Sequence, residues 1–125
     1  MRILIIDDSE IIRKSLQRFL EPNFQEAEYR HADNAKQAGE LCREFDPQFI
    51  TLDIHMPGTS GLDFLKALRA GGNDVPILVV SADEDRRGLE QALLHGATSF
   101  LSKPYTSISV ATAVDKLRAF FPTEK

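Results

Sequence analysis

Apolar positions along the chain fall into short compact runs separated by longer amphipathic stretches. Ile3-Leu4-Ile5-Ile6 is such a run, the mark of a strand over residues 2–6 buried on both faces. Ile12, Leu16, Phe19 and Leu20 then recur at helical spacing until Pro22-Asn23 stops them. Residues 27–31 make a weaker strand. Ala35, Ala38, Leu41, Cys42 and Phe45 stripe a second helix that Asp33 or Asn34 would cap and Pro47 cannot extend. Phe49-Ile50-Thr51-Leu52 is a third strand ending at Asp53. Leu62, Leu65 and Leu68 mark a helix that stops at Gly71-Gly72. Ile77-Leu78-Val79-Val80 is a fully apolar fourth strand ending at Ser81, followed by a helix on Leu89, Ala92 and Leu93 with Gly96 as its stop. Ser99 to Ser102 is a short last strand before Lys103-Pro104, and Val110, Val114, Leu117 and Phe121 stripe the final helix.

Five βα units with short connections imply a parallel sheet covered by helices on both faces. No linker, repeat or low-complexity segment interrupts them, so residues 1–125 read as a single domain of class α/β. Composition narrows the function. Hydrophobic residues are 42% and charged residues 27%, an ordinary globular balance. The longest apolar run is far below the ~18 residues of a membrane span, and the start has no signal-peptide pattern. A net charge of −4 without a basic stripe argues against direct nucleic-acid binding. The one cysteine, Cys42, excludes an internal disulfide and a cysteine-based zinc site, and fits a reducing, cytoplasmic setting. On the apolar stripe of its helix, Cys42 reads as core filler.

The polar residues at the strand ends carry the chemistry. Open α/β sheets build their sites beyond the carboxyl ends of the strands. Here those ends are Asp7-Asp8, Asp53, Ser81 and Lys103. Taken singly, each has a plainer reading. Asp8 or Ser9 would cap the first helix, Ser81 or Asp83 the fourth, and Lys103 would be solvated. Together they put three carboxylates, a hydroxyl and an ammonium on one edge. Three close carboxylates repel and need positive charge. Oxygen ligands select a hard cation such as Mg²⁺, which takes one or two carboxylates together with phosphate oxygens. An aspartate can also serve as a nucleophile, giving an acyl phosphate. Ser81 and Lys103 suit the phosphoryl oxygens.

With these motifs in order along the whole chain, the sequence resembles the receiver domain of two-component response regulators. The resemblance rests on Asp7-Asp8, Asp53-Ile54-His55-Met56-Pro57, Gly61, Ser81-Ala82 and Lys103-Pro104. It implies a flavodoxin-like doubly wound (βα)5 fold with strand order 2-1-3-4-5, an order the handedness of βα crossovers allows but composition cannot specify. It implies that Asp53 is the phosphoacceptor, loaded from the histidine of a sensor histidine kinase or a phosphotransfer protein. Asp8, Asp53 and the backbone carbonyl of His55 would bind Mg²⁺, with Asp7 acting through a metal-bound water. Lys103 would pair with Asp53 and then with the phosphoryl group. Ser81 stands at the hydroxyl switch position and Phe100 at the aromatic switch position. The Lys103–Pro104 bond is expected to be cis, placing Pro104 beside the site.

The implied output is a repacked face made by the fourth helix, fifth strand and fifth helix. That face would meet a downstream protein or an output domain, or support a phosphorylation-linked homodimer. Neither nucleic acid nor membrane is an expected direct partner. His55 and Asp83 are candidates for tuning the phosphoryl lifetime, against plainer readings as a solvent-facing side chain and a helix cap. Gly61 reads as turn and helix-start chemistry, His95 as a complement to a helix dipole, residues 83–87 as a solvated helix start, and Tyr105 as packing or part of the output face. Two other classes fit less well. A Mg²⁺-dependent phosphatase with an aspartate nucleophile typically shows Asp-x-Asp after the first strand, where this chain has adjacent Asp7 and Asp8. A docking module derived from a receiver typically lacks the acceptor, an acid or the lysine, and all are present here. A flavin-binding flavodoxin would need Gly, Ser and Thr where the first loop has acids.

Overall fold

A computed structural model describes residues 1–56, 58–82 and 85–122. Strands β1 (Arg2–Ile6), β2 (Glu28–Ala32), β3 (Phe49–Asp53), β4 (Ile77–Ala82) and β5 (Ser99–Lys103) alternate with helices α1 (Glu10–Leu20), α2 (Ala35–Glu44), α3 (Gly61–Ala70), α4 (Arg86–Leu94) and α5 (Ser107–Leu117). All strand pairs are parallel, in the order β2-β1-β3-β4-β5. This is the flavodoxin-like doubly wound fold.

Period-two alternation along each strand divides the interior into two cores. Leu4, Ile6, Ile50, Leu52, Ile77 and Val79 face α2, α3 and α4, meeting Ala38, Cys42, Phe64, Leu65, Leu89 and Ala92. Ile3, Ile5, Phe49, Leu78, Val80 and Leu101 face α1 and α5, meeting Leu16, Leu20, Val110, Val114 and Leu117. Burial on both faces explains why these strands read as continuous apolar runs. The edge strand β2 is buried only in part, with Glu28 and Arg30 turned out, and it lies one residue later than expected.

Local chemistry sets the helix ends. Ser9 Oγ accepts from the Ile12 amide and Asn34 Oδ1 from the Gln37 amide, so these two residues cap α1 and α2. The cap of α4 is not Ser81, and the other candidate, Asp83, lies outside the described residues. Ser81 belongs to β4, which runs on through Ala82, and Asp85 caps the helix by accepting from Gly88 N at 3.1 Å. Gly72 and Gly96, just beyond the ends of α3 and α4, have φ of 87° and 107°, where a side chain would strain the backbone. Among the described residues no helix is long and apolar enough to cross a membrane.

Candidate functional site

Sheet register assembles the polar strand ends. Ile6 pairs with Leu52 across β1 and β3, so one further step sets Asp7 beside Asp53. Asp53 pairs with Val80 on β4, and Ala82 pairs with Lys103 on β5. Asp7, Asp53 and Lys103 alternate in phase with Ile5, Thr51 and Leu101, and so share the α1/α5 side of the sheet. Ser81 alternates in phase with Ile77 and Val79 and leaves on the opposite side, toward α4.

Asp7 and Asp53 are 5% and 6% exposed, so both carboxylates sit largely out of water. Lys103 Nζ lies 3.7 Å from Asp7 Oδ2 and 3.8 Å from Asp53 Oδ2, a single ammonium between two acids. Asp8 is exposed, yet Asp7, Asp8 and Asp53 each bring a carboxylate oxygen within 4.8 Å of the others. Burial, reinforced by the nearby Asp53 charge, pushes the Asp7 carboxyl up to about 6, against the lowering pull of the Ser9 amide and Lys103. One lysine therefore does not neutralise the cluster. Three hard oxygen donors with surplus negative charge fit a Mg²⁺ ion.

Backbone donors orient the carboxylates. Ser9 N donates to Asp7 Oδ1 at 2.9 Å and His55 N to Asp53 Oδ1 at 3.0 Å. Arg13 holds the first loop from outside, donating from Nη1 to the Asp7 carbonyl at 2.7 Å and from Nε to His31 Nδ1 at 3.3 Å. With Nδ1 accepting, His31 Nε2 carries the proton toward Gln17 Oε1, 2.7 Å away. Burial, then the Arg13 and Lys14 charges, hold the His31 pKa below its ordinary value.

Gly61 has more than a helix-start role. A Cβ built there would stand 2.2 Å from the Asp53 carbonyl oxygen and 2.6 Å from Ile54 Cα, while Gly61 N donates to the Ile54 carbonyl at 3.1 Å. Only glycine lets α3 begin flush against the end of β3.

The remaining candidates spread away from the acids. The Ser81 hydroxyl is 1% exposed and donates to Asp85 Oδ2 at 3.1 Å. The His55 side chain is 66% exposed, with Nε2 2.5 Å from the same Asp85 oxygen. Asp85 lies in the stretch expected to be a plain solvated helix start; its only sequence signal is an Asp three residues before a Gly at a helix beginning. Asp83 and Pro57 lie outside the described residues. Phe100, 46% exposed, lines a cavity of about 270 Å³ with Arg86, Leu89, Leu93 and Ser102. The Lys103–Pro104 bond is cis. Tyr105 packs edge-on against Phe19, with centroids 5.5 Å apart. Cys42 is a buried free thiol pushed up to about 11 by burial, unsuited to nucleophilic work.

Known proteins agree with this architecture. The family model described as response regulator receiver domain matches residues 3–115. The chain is 32% identical over 120 residues to a protein-glutamate methylesterase/protein-glutamine glutaminase of Nocardioides sp., covering 94% of this chain and 33% of that protein. It is 35% identical over 105 residues to the response regulator MprA of Mycobacterium avium, covering 84% and 45%. It thus spans a third to under half the length of these relatives. The chemotaxis protein CheY of Halobacterium salinarum is 28% identical over 113 residues, covering 90% of this chain and 92% of that protein. Among solved structures, a response regulator signal receiver domain from Bermanella marisrubri superposes with a TM-score of 0.80 at 33% identity, covering 93% and 96%. A putative response regulator from Chloroflexus aurantiacus reaches 0.85 at 24% identity, a likeness of fold. The strand order, the acidic edge and the family match together show that this chain belongs to the receiver domains of response regulators in two-component signalling.

Proposed function

We propose that residues 1–125 act as one phosphorylatable receiver, with Asp53 the phosphoacceptor. The observation that carries this reading is Lys103 Nζ within 3.8 Å of both Asp7 and Asp53, at an edge where three carboxylates converge. The phosphodonor is the histidine of a sensor kinase or phosphotransfer protein. One carboxylate oxygen of Asp53 attacks the phosphorus, the P–N bond breaks, and its electron pair stays with the imidazole nitrogen. The His55 amide on Asp53 Oδ1 holds the carboxylate in line for this attack. Lys103 then moves its charge from the Asp53 carboxylate to a phosphoryl oxygen.

Asp8, Asp53 and the His55 carbonyl would hold Mg²⁺, with Asp7 one water removed. Bound there, the ion neutralises phosphoryl oxygens as they transfer. The module signals rather than turning over a substrate, and its reactions are self-phosphorylation from phosphodonors and autodephosphorylation. Ser81 and Phe100 carry the switch. Phe100 lies at the rim of the α4–β5 cavity, so its turning inward repacks the α4-β5-α5 face. That face would meet a downstream protein or an output domain, or a second copy as a phosphorylation-linked homodimer, in the cytoplasm. His55, and Asp83 beyond the described residues, would tune the phosphoryl lifetime.

Intact mass after incubation with acetyl phosphate and Mg²⁺, beside Asp53→Asn, tests the reading. One Mg²⁺-dependent phosphoryl adduct, absent from the variant, is expected. An adduct that persists in Asp53→Asn would refute the assignment.

A further inference from the structure

The Asp85 carboxylate is the meeting point of three donors from three elements. Ser81 Oγ at the end of β4 donates to Oδ2 at 3.1 Å, His55 Nε2 beyond β3 lies 2.5 Å from the same oxygen, and Gly88 N of α4 donates to Oδ1 at 3.1 Å. The cluster is built rather than incidental. A Cβ at Gly88 would stand 2.2 Å from Asp85 Oδ2 and 2.8 Å from Ile54 Cδ1, so the carboxylate occupies space that only a glycine leaves open. Glycine is a poor residue for the first turns of a nine-residue helix, yet it stands here. The hydrogen bond from His55 holds the Asp85 carboxyl below its ordinary range. Facing an ionised carboxylate, His55 Nε2 carries the proton and donates.

A serine hydroxyl has one proton to give. In this structure it goes to Asp85. Donation to a phosphoryl oxygen on Asp53 requires that the bond to Asp85 break first, because both acceptors are anionic and neither can supply a second proton. We infer that Asp85 is a positioning residue, a latch that holds the switch hydroxyl of Ser81 on the α4 side and opposes its turn toward the phosphorylated site. The inference deepens the phosphoacceptor reading and rests on it. Release of Ser81 strips one of three donors from the residue that caps α4. Occupancy at Asp53 is thereby linked to the N-terminal turn of the helix that lines the Phe100 cavity.

The test is the affinity of beryllium trifluoride, a phosphoryl mimic, in saturating Mg²⁺. It is titrated calorimetrically into wild type, Asp85→Ser and Gly88→Ala, each also in a Ser81→Ala background. Serine keeps the helix cap but is too short to serve the latch. Gly88→Ala keeps Asp85 and crowds its carboxylate out of place. Each variant is expected to bind on the order of tenfold tighter than wild type, the scale of one competing hydrogen bond to a charged group. In the Ser81→Ala background the same changes should move affinity less than about twofold. An equal gain with and without the Ser81 hydroxyl means simple repulsion between Asp85 and the anion, and overturns the latch. So does a lowered melting temperature with unchanged affinity, which makes Asp85 a helix cap alone. If wild type binds and loses binding in Asp53→Asn while the Asp85 and Gly88 variants match it, the latch fails and the phosphoacceptor reading stands. If neither wild type nor variants bind, the phosphoacceptor reading fails and the latch with it.

Discussion

At Gly61 a single missing methyl group decides how closely α3 meets the end of β3. The atoms a Cβ would strike, the Asp53 carbonyl and Ile54 Cα, are backbone and cannot swing away. Gly61→Ala must therefore move either the helix start or the strand end that carries the proposed acceptor. The expected loss is about 3 kcal/mol, the upper end for overpacking, with a matching fall in acetyl phosphate labelling. Urea unfolding checks the first and intact mass the second. Stability within about 0.5 kcal/mol of wild type would mean that the loop absorbs the methyl and that the close approach constrains nothing. The contrast with Gly58 is informative. It has a φ of 78° but nothing within 4 Å of a built Cβ, so conformation rather than space selects glycine there.

Helix ends carry the next level of specification, and α5 offers the cleanest case. Thr106 Oγ1 accepts from Ser109 N at 3.1 Å while Ser109 Oγ accepts from Thr106 N at 2.8 Å, a reciprocal box at an exposed terminus. Thr106→Ala should cost about 1 kcal/mol in urea unfolding, and Thr106→Ser should restore most of it. An alanine variant as stable as wild type would show that water serves those amides equally well. Elements of this kind are largely readable from sequence because their causes are local. Ile3–Ile6, Phe49–Leu52 and Ile77–Val80 announce doubly buried strands, and Ser9 and Asn34 were each one of two candidate caps. What depends on distant neighbours is harder to read. The order β2-β1-β3-β4-β5 has no signature in hydrophobic period and came only through family resemblance. Edge strand β2 shifted by one residue because half its side chains face outward. The α4 cap moved to Asp85 because β4 continues two residues past its apolar run. The contact between His55 and Asp85 joins residues thirty positions apart and depends on the gap at Gly88, which only the folded chain reveals.

At the scale of the whole molecule, buried like charge gathers at the edge where the sheet's carboxyl ends meet, and stability there depends on pH. Asp7 is 5% exposed and sits beside Asp53, and its pKa of about 6 lies above the ordinary 3.8 chiefly because burial penalises its charged form. Between about pH 4 and pH 6 the folded protein therefore keeps a proton that the unfolded chain has released. Unfolding releases protons in that window, so this group's contribution to stability is present in full below pH 4 and is lost as pH rises through 6. Removing the carboxylate should remove the effect. Without Mg²⁺, the stability advantage of Asp7→Asn over wild type should grow from pH 4 to pH 7 in paired thermal melts. Mg²⁺ acts in the opposite sense, because a cation held by the acidic cluster favours the ionised carboxylates. Its stabilisation of wild type should rise from pH 5 to pH 7 and be smaller in Asp7→Asn. A wild-type minus variant difference that stays flat across the window would mean that Lys103, 3.7 Å away, already compensates the buried charge. Asp7 would then be a paired acid already stabilised by Lys103, and the demand for a cation would fall on Asp53 and the exposed Asp8.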